Sequence, residues 1–223
     1  SLVINQLLPG LGNTKDKKTL YIETNAGINQ LSFVNSKHAV QGVDGSVLST
    51  QIRAYDAGIK PKQLLVNKSE LFLLFDHVVE QYSSLDNSWQ TFGLSRNFQS
   101  LSVVNSGAIL LDANGSLVKL SLDSGKMSQL PQYQNISQMV AGNDDVYVRS
   151  GEKISSLSSP ESQFREANYA SNIFVDNDKN VWLSTPFDVQ VAWWQPLPAV
   201  KTKAPYWGEF VHSSQLTETG QFA

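Results

Sequence analysis

The chain has 223 residues, 41% apolar and 17% charged, which is typical of a folded protein with a mostly uncharged surface. Its formal net charge of −3 gives nucleic-acid binding no electrostatic support, and the lack of cysteine excludes disulfides, thiolate metal sites and cysteine nucleophiles. No apolar run approaches the roughly 18 residues that span a bilayer, so we expect no membrane-spanning segment in this chain.

In chain order, similar units follow one another from the N-terminus. Each has an apolar strand, a polar turn, a second apolar strand and a third strand, and a fourth, more polar segment follows. Segments of 4 to 7 apolar and aromatic residues bounded by Gly, Asn and Asp predict β-strands and not helices. The units are predicted near 2–43, 62–95, 99–133, 135–169 and 171–200, with an insertion at 44–61 and a C-terminal tail or closing segment at 201–223.

An apolar pair spaced by three positions places the third strands in a common register. The pairs are Ile28/Leu31, Val79/Tyr82, Leu117/Leu120, Ile154/Leu157 and Val189/Ala192, and they begin 51, 38, 37 and 35 residues apart. The longer first interval is assigned to the insertion, where Asp44-Gly45 predicts a hairpin tip. The fourth strand is placed at 36–43 in the first unit and at 194–200 in the fifth.

Repeated units of four short strands are typical of a β-propeller, in which sheets called blades pack face to face around a channel. We therefore predict an all-β fold, a β-propeller of four-stranded antiparallel blades with five recognisable units. Three arrangements fit this count. The chain forms a small five-bladed ring, or the insertion and the tail add blades, or the chain is part of a larger ring.

The run Asp176, Asn177, Asp178, Asn180 has two interpretations. A calcium-binding EF-hand loop begins in the same way, but it needs glycine at its sixth position and glutamate at its last, where this chain has Val181 and Phe187. Asn and Asp also suit tight turns, because their side chains hydrogen-bond the nearby backbone. We favour a hairpin between the first and second strands of the fifth unit, and we expect no metal and no cofactor.

Two units resemble a known repeat. The segments Leu20–Thr24, followed by Gly27, and Val181–Thr185 resemble the two-component regulator propeller repeat, in which a polar turn precedes a strand close to Leu-Trp-Ile-Gly-Thr. The three middle units lack the threonine. The resemblance covers about residues 3–200 and implies a periplasmic or extracellular sensor module, often joined to a histidine kinase or a cyclic-dinucleotide enzyme, that detects carbohydrate-like or other small ligands.

The sequence offers few candidates for chemistry. Asp112, Glu152 and Asp188 follow second strands and would share one end of a ring, so they are candidate ligand-binding residues, with turn formation as the simpler role. Tyr21, Tyr147 and Trp182 occupy similar second-strand positions and are predicted to pack between blades. Candidate partner-binding residues are the aromatic side chains near the C-terminus: Trp193, Trp194, Tyr206, Trp207 and Phe210.

The leading hypothesis is a non-catalytic propeller that binds a ligand or a partner, the extracytoplasmic sensor region of a bacterial signalling protein. One alternative is an interaction or structural subunit of an extracellular assembly. Another is a propeller lyase or glycosidase, which the three scattered histidines and the lack of convergent motifs make the least favoured. The expected partners are a small-molecule or carbohydrate ligand, and a protein or neighbouring domain.

Overall fold

The structure is a computed structural model in which every described strand belongs to a four-stranded antiparallel sheet. It describes residues 3–10, 17–34, 47–55, 59–68, 70–105, 107–142, 145–158, 163–165, 172–176, 180–184, 189–192 and 211–212. Neighbouring strands in each sheet are consecutive in the chain. Within the described residues there is no helix, which confirms the predicted all-β class.

The five sheets follow the chain in order. The first sheet consists of β1 (Ile4–Gly10), β2 (Lys17–Thr24), β3 (Gly27–Val34) and β4 (Val47–Ala54). The second consists of β5 (Gln63–Asn67), β6 (Glu70–Leu74), β7 (Val78–Ser83) and β8 (Ser88–Gly93). The third consists of β9 (Phe98–Val104), β10 (Gly107–Asp112), β11 (Leu117–Ser121) and β12 (Met127–Gln129).

The fourth and fifth sheets have shorter outer strands. The fourth consists of β13 (Ile136–Ala141), β14 (Val146–Ser150), β15 (Lys153–Ser156) and β16 (Gln163–Arg165). The fifth consists of β17 (Asn172–Val175), β18 (Val181–Ser184), β19 (Val189–Ala192) and β20 (Val211–His212). Five such four-stranded antiparallel sheets are propeller blades, so the predicted fold class is confirmed.

The predicted register of the third strands matches the burial of their side chains. The first member of the apolar pair is buried in four sheets: Ile28 0%, Val79 0%, Leu117 1% and Ile154 0% exposed. Its counterpart in the fifth sheet, Val189, is 41% exposed. The strand pairing agrees with this register. In every sheet the register residue of the third strand lies opposite the same position of the second strand.

The chain divides into an N-terminal unit, Ser1–Asn97, and a C-terminal unit, Phe98–Ala223. In the N-terminal unit the core lies between the first and second sheets. Tyr21 is fully buried there, and its ring meets that of Tyr82 edge to face with centroids 6.4 Å apart. Side chains from all four strands of the second sheet pack in this cluster or against it.

The C-terminal unit has two clusters. One joins Ile109, Leu111 and Leu117 of the third sheet to Ile136, Val146 and Val148 of the fourth. The other joins Tyr147 and Ile154 of the fourth sheet to Ile173, Val175, Val181 and Leu183 of the fifth. Neighbouring side chains on β14 thus pack on opposite faces of the fourth sheet, because side chains alternate along a strand and both faces of this sheet are covered.

Two predicted fourth strands were wrong. In the first sheet the strand paired with β3 is β4, Val47–Ala54, which lies in the segment 44–61 that was predicted to be an insertion. In the fifth sheet β20, Val211–His212, pairs with β19 and comes from 201–223, which was predicted as a C-terminal tail or closing segment. The middle residues of β4, Ser49, Thr50 and Gln51, are polar and exposed, so this strand carries no strong apolar pattern. The segments predicted instead, 36–43 and 194–200, lie outside the described residues.

The segment from Asp176 to Asn180 is the predicted hairpin between β17 and β18. Asp176 Oδ1 accepts the Asn180 backbone N–H at 2.9 Å, and Oδ2 accepts Asn180 Nδ2 and Trp182 Nε1, each at 2.9 Å. The carboxylate therefore bonds donors of its own hairpin. The side chain that suggested a metal ligand closes a turn.

Candidate functional site

A cleft of about 280 Å³ opens between the first and second sheets, inside the N-terminal unit. We call it the first cleft. Its walls combine apolar side chains with one ion pair, and its lining residues are Arg53, Ala54, Tyr55, Ile59, Phe75, Val78, Glu80 and Thr91. The end of β4 supplies the residues of the first sheet, and β7, β8 and the tight turn from Phe75 to Val78 supply those of the second.

The ion pair joins the two sheets. Arg53 Nη2 donates to Glu80 Oε1 at 2.7 Å. Arg53 reaches Glu80 because it lies opposite Ile28, whose side chain packs in the core toward the second sheet. The Glu80 side chain is 12% exposed and that of Arg53 41%, so the carboxylate is enclosed while the guanidinium keeps contact with solvent.

Trp89 holds the arginine in place. The guanidinium carbon lies 5.6 Å from the centroid of the indole ring, a cation–π distance. Two contacts fix the indole itself, because Nε1 donates to the Ile52 carbonyl at 3.2 Å and the ring lies against Tyr82 with centroids 5.0 Å apart. Arg53 is therefore restrained by a carboxylate and by an aromatic face.

Tyr55 forms a further polar contact beside the cleft. Its hydroxyl donates to Glu23 Oε1 at 3.0 Å, and its backbone N–H donates to the Ala26 carbonyl. Burial first, and then the hydrogen bond and negative charge of Glu23, raise the pKa of the Tyr55 phenol above its ordinary value. The phenol therefore stays neutral and acts as a donor toward Glu23.

One atom of this site lacks a partner. Glu80 Oε2 is buried and accepts no hydrogen bond from any residue that the structure describes. An unsatisfied buried carboxylate oxygen costs stability, on the order of 1–3 kcal/mol or more. A ligand that offers an N–H or O–H donor to this oxygen, and an apolar surface to Ile59, Phe75 and Val78, would relieve that cost.

A second cleft of about 280 Å³ lies between the third and fourth sheets, inside the C-terminal unit. Asp145 is its acidic residue, and its carboxylate is fully engaged. Oδ1 accepts the Val146 N–H at 2.8 Å and the Ser158 N–H at 3.2 Å, while Oδ2 accepts the hydroxyls of Ser156 and Ser158. Asp145 thus stabilises the local backbone. Because both of its oxygens already accept hydrogen bonds, its carboxylate is less suited to bind a ligand than that of Glu80 in the first cleft.

The candidate ligand residues from the sequence have different environments. Asp112 is 4% exposed, and its Oδ1 accepts the N–H groups of Asn114 and Ser116 at 2.9 Å each, so it closes the β10–β11 turn. Glu152 is exposed in the two-residue turn between β14 and β15. Asp112 is thus the last residue of its second strand, and Glu152 lies in the hairpin that follows its own. Asp188 lies outside the described residues.

The aromatic residues singled out in the sequence also differ in their environments. Tyr21 and Tyr147 are buried between sheets, 0% and 8% exposed, as the sequence predicted, and Trp182 occupies the equivalent place on β18 but is only half-buried. The candidate partner-binding residues Trp193, Trp194, Tyr206, Trp207 and Phe210 lie outside the described residues.

Sequence reasoning missed the first cleft. Arg53 and Tyr55 fell in the segment interpreted as an insertion, and Glu80, in the third strand of the second unit, was not singled out. One signal was present, since Glu80 directly follows the register residue Val79. The corresponding residues of the other units are Asn29, Val118, Ser155 and Gln190, so Glu80 is the one carboxylate at this position.

Two features are absent from the described residues. They contain no helix long and apolar enough to cross a membrane. They also contain no group of three or more His, Asp or Glu side chains that is arranged to hold a metal ion.

No protein-family model matches this sequence, and no curated protein matches it. Solved structures do match it in fold. Human WBSCR16 is 11% identical with a TM-score of 0.56, over 86% of this chain and 62% of that one. Prp20p from Saccharomyces cerevisiae is 10% identical with a TM-score of 0.54, over 87% and 58%. The WD40 domain of Neurospora crassa Pan2 is 12% identical with a TM-score of 0.50, over 82% and 61%.

These similarities show the β-propeller fold alone, because the identities are far below those at which function is shared. The chain spans about three fifths of the length of each of these propellers.

Proposed function

We propose that this chain is a non-catalytic recognition β-propeller that binds a small polar ligand in the first cleft. The observation that carries the proposal is the enclosed Glu80 carboxylate, with Oε1 held by Arg53 and Oε2 left without a described donor. A binding site needs a few well-placed polar groups among apolar walls, and the first cleft has this composition.

The preferred ligand class is a neutral polyhydroxylated compound such as a monosaccharide or disaccharide. Hydroxyl groups supply the donor for Glu80 Oε2 and acceptors for the exposed part of Arg53, and the C–H face of a sugar ring packs against Phe75 or Ile59. A cationic ligand is disfavoured because Arg53 places a positive charge at the same oxygen pair. The same residues argue against catalysis, since the one enclosed carboxylate of the cleft is already neutralised by arginine.

The cellular role we propose is the extracytoplasmic sensor region of a bacterial signalling protein. Its support is the resemblance of the first and fifth units to two-component regulator propeller repeats. The domain context of the full-length gene product tests this role. A transmembrane segment followed by kinase or cyclase motifs is the expected finding, and an uninterrupted cytoplasmic enzyme would contradict it.

The ligand test is isothermal titration calorimetry of the whole chain with a panel of neutral methyl glycosides and, separately, primary alkylamines of similar size. We expect at least one glycoside to bind and the amines not to bind. Glu80→Gln should weaken binding about 10- to 100-fold, because a hydrogen bond to a charged group is lost.

The matched control is Glu152→Gln, which makes the same chemical change at an exposed turn of the C-terminal unit. It also tests a candidate from the sequence, and we expect it to leave binding unchanged. Absence of binding across the panel, or equal affinity of the wild type and Glu80→Gln, would overturn the assignment of the first cleft.

A second function, as an interaction subunit, is favoured by exposed apolar side chains on the fifth sheet, above all Phe174 at 61%. Prp20p, which shares the fold, has binding properties toward Gsp1p and histones. Protein recognition on one surface is compatible with ligand binding in the first cleft.

A further inference from the structure

The second cleft lies at a place that tyrosine side chains fill in the N-terminal unit. Between the first and second sheets, the rings of Tyr21 and Tyr82 meet edge to face, and the two side chains are 0% and 2% exposed. The Tyr82 hydroxyl on β7 donates to Gln30 Oε1 on β3 at 2.9 Å, across the gap between the sheets. Two rings and one polar contact therefore close this gap.

The strand pairing identifies the corresponding residues on the third sheet. Tyr21 lies opposite Gln30 on the first sheet, and Ile109 lies opposite Lys119 on the third. Gln30 and Lys119 are each two residues after the register residue of their third strand. The C-terminal unit thus has an aliphatic side chain in place of the first ring, and a lysine in place of the glutamine.

The fourth sheet differs from the second at the other side of the gap. Tyr82 and Leu157 are each three residues after the register residue of their third strand. Tyr82 lies opposite Leu71, and the Leu157 N–H donates to the Val146 carbonyl at 2.9 Å. Leu71 and Val146 are both fully buried. Leucine therefore replaces the second ring as well, on a backbone that is paired in the same way.

A cleft of about 280 Å³ remains where the two rings are absent. Ile109, Val146 and Leu157 line it, together with Leu130 and Tyr133. The Tyr133 hydroxyl donates to the Leu157 carbonyl at 3.3 Å, so this ring is held in the wall. A cavity of about 150 Å³ with apolar walls already accommodates benzene. The second cleft is therefore large enough for a ring and has the walls that a ring requires.

Lys119 supplies the charged group of the second cleft that is open to a ligand. Its side chain extends over Gly107, where an added Cβ would lie 3.3 Å from Lys119 Cε, and both residues line the cleft. The amine forms no ion pair or hydrogen bond with any residue that the structure describes. Asp145, the other charged residue of the lining, already accepts hydrogen bonds at both of its oxygens.

We propose that the second cleft binds a small aromatic carboxylate, for which phenylacetate is the probe. The ring takes the apolar space that Tyr82 fills in the N-terminal unit, and the carboxylate accepts a hydrogen bond from Lys119. A lysine amine donates and does not accept, so the polar group of the ligand is an acceptor. A carboxylate forms a stronger, charge-assisted bond than a neutral oxygen does. This site differs from the first cleft in place and in ligand class.

The test is isothermal titration calorimetry of the whole chain with phenylacetate, phenylacetamide and acetate. We expect phenylacetate to bind and the other two to bind at least about 10-fold more weakly, because phenylacetamide lacks the charge and acetate lacks the ring. Lys119→Met should weaken phenylacetate binding about 10- to 100-fold. Lys126→Met is the matched control and should leave binding unchanged, because Lys126 is exposed in the β11–β12 turn and does not line the cleft.

Leu157→Tyr gives the sharpest result, because it introduces the side chain that fills the corresponding gap in the N-terminal unit. The new ring should occupy the cleft and abolish phenylacetate binding, while the far-UV circular dichroism spectrum stays that of the wild type. If this variant does not fold, the comparison of Lys119→Met with Lys126→Met decides alone.

Four outcomes would overturn the proposal. The first is that the wild type does not bind phenylacetate. The second is equal affinity of the wild type and Lys119→Met, which would indicate a site elsewhere. The third is binding retained in folded Leu157→Tyr, which would show that the ring does not lie in the second cleft. The fourth is acetate or phenylacetamide binding as tightly as phenylacetate, which would refute the ligand class.

Discussion

The hairpin at Asp176 offers a quantitative test, because one carboxylate accepts three hydrogen bonds. Replacing it in Asp176→Ala removes acceptors from Asn180 N, Asn180 Nδ2 and Trp182 Nε1, each at 2.9 Å. A hydrogen bond to a charged group contributes about 1.5–3 kcal/mol, so three would sum to roughly 5–9 kcal/mol if they were independent. They share one side chain, and all three residues are half-buried, so water replaces part of what is lost.

We therefore expect Asp176→Ala to lower the free energy of unfolding by about 3 kcal/mol. Asp176→Asn keeps one acceptor oxygen and should lose about half as much. The assay is urea unfolding followed by far-UV circular dichroism. Asp123→Ala is the control, since Asp123 is an exposed aspartate in the β11–β12 turn and should change stability by less than about 0.5 kcal/mol.

Calcium addition distinguishes a metal ligand from a turn-closing carboxylate. A ligand at 100 times its dissociation constant stabilises the folded state by about 2.7 kcal/mol. If Asp176 were a calcium ligand, millimolar Ca²⁺ would raise the unfolding midpoint of the wild type but not that of Asp176→Ala. That result, or a loss below about 1 kcal/mol in Asp176→Ala, would refute the assignment of this carboxylate to the turn.

Two further predictions concern the backbone and the buried phenols. Gly27→Ala should cost about 3 kcal/mol or more, because Gly27 has φ +144° and an added Cβ would lie 2.1 Å from the Arg53 carbonyl oxygen, whereas Gly93→Ala, with no atom within 4 Å, should be nearly neutral in the same urea assay. Burial raises the pKa of Tyr21, Tyr55, Tyr82 and Tyr147 above 10.0, so their contribution to stability is complete below that pH and is lost as pH rises toward the folded-state values. The urea midpoint should fall above about pH 10, less steeply in Tyr55→Phe, and a midpoint that stayed constant to about pH 11 would contradict the burial of these phenols.

The sequence predicted the inner three strands of each sheet because two local signals agree there. Apolar runs mark strands covered on both faces, and turn residues interrupt them at regular places. Lys68 and Asn105, in the predicted hairpins after β5 and β9, have φ of 55° and 51°. Asparagine adopts this left-handed region more readily than most residues, which explains why such turns can be recognised without a structure.

The outer strands of the first and fifth sheets could not be predicted by the same reasoning. Three residues in the middle of β4, Ser49, Thr50 and Gln51, are exposed, so this strand has no apolar pattern to distinguish it from a loop. β20 has only two residues and follows β19 after a long stretch of chain. Pairing at an outer edge depends on backbone hydrogen bonds to one neighbour, and sequence periodicity does not report them.

Threonine and glycine of the resemblance motif have structural roles in the first sheet. Thr24 Oγ1 donates to the Gly27 carbonyl at 2.9 Å and accepts the Ala26 N–H at 3.2 Å. Gly27 then pairs closely with Ala54, which leaves no room for a side chain. The motif thus closes the β2–β3 hairpin against β4. It carries information about blade geometry, and the ligand must be inferred from other residues.

In a repeat protein, the residues that determine blade geometry and the residues that determine ligand binding occupy different positions. Residues that recur in every unit, such as Tyr21 and its equivalents, pack one sheet on the next, and their recurrence is what makes the fold visible in the sequence. Recognition needs side chains that break the repeat, because a feature present in all blades cannot single out one cleft. Glu80 is such a break, and its partner Arg53 is 27 residues away on another sheet. The Glu80 position was therefore one place where the sequence could have pointed to a site, and the pairing with Arg53 across the two sheets is the step that required the structure.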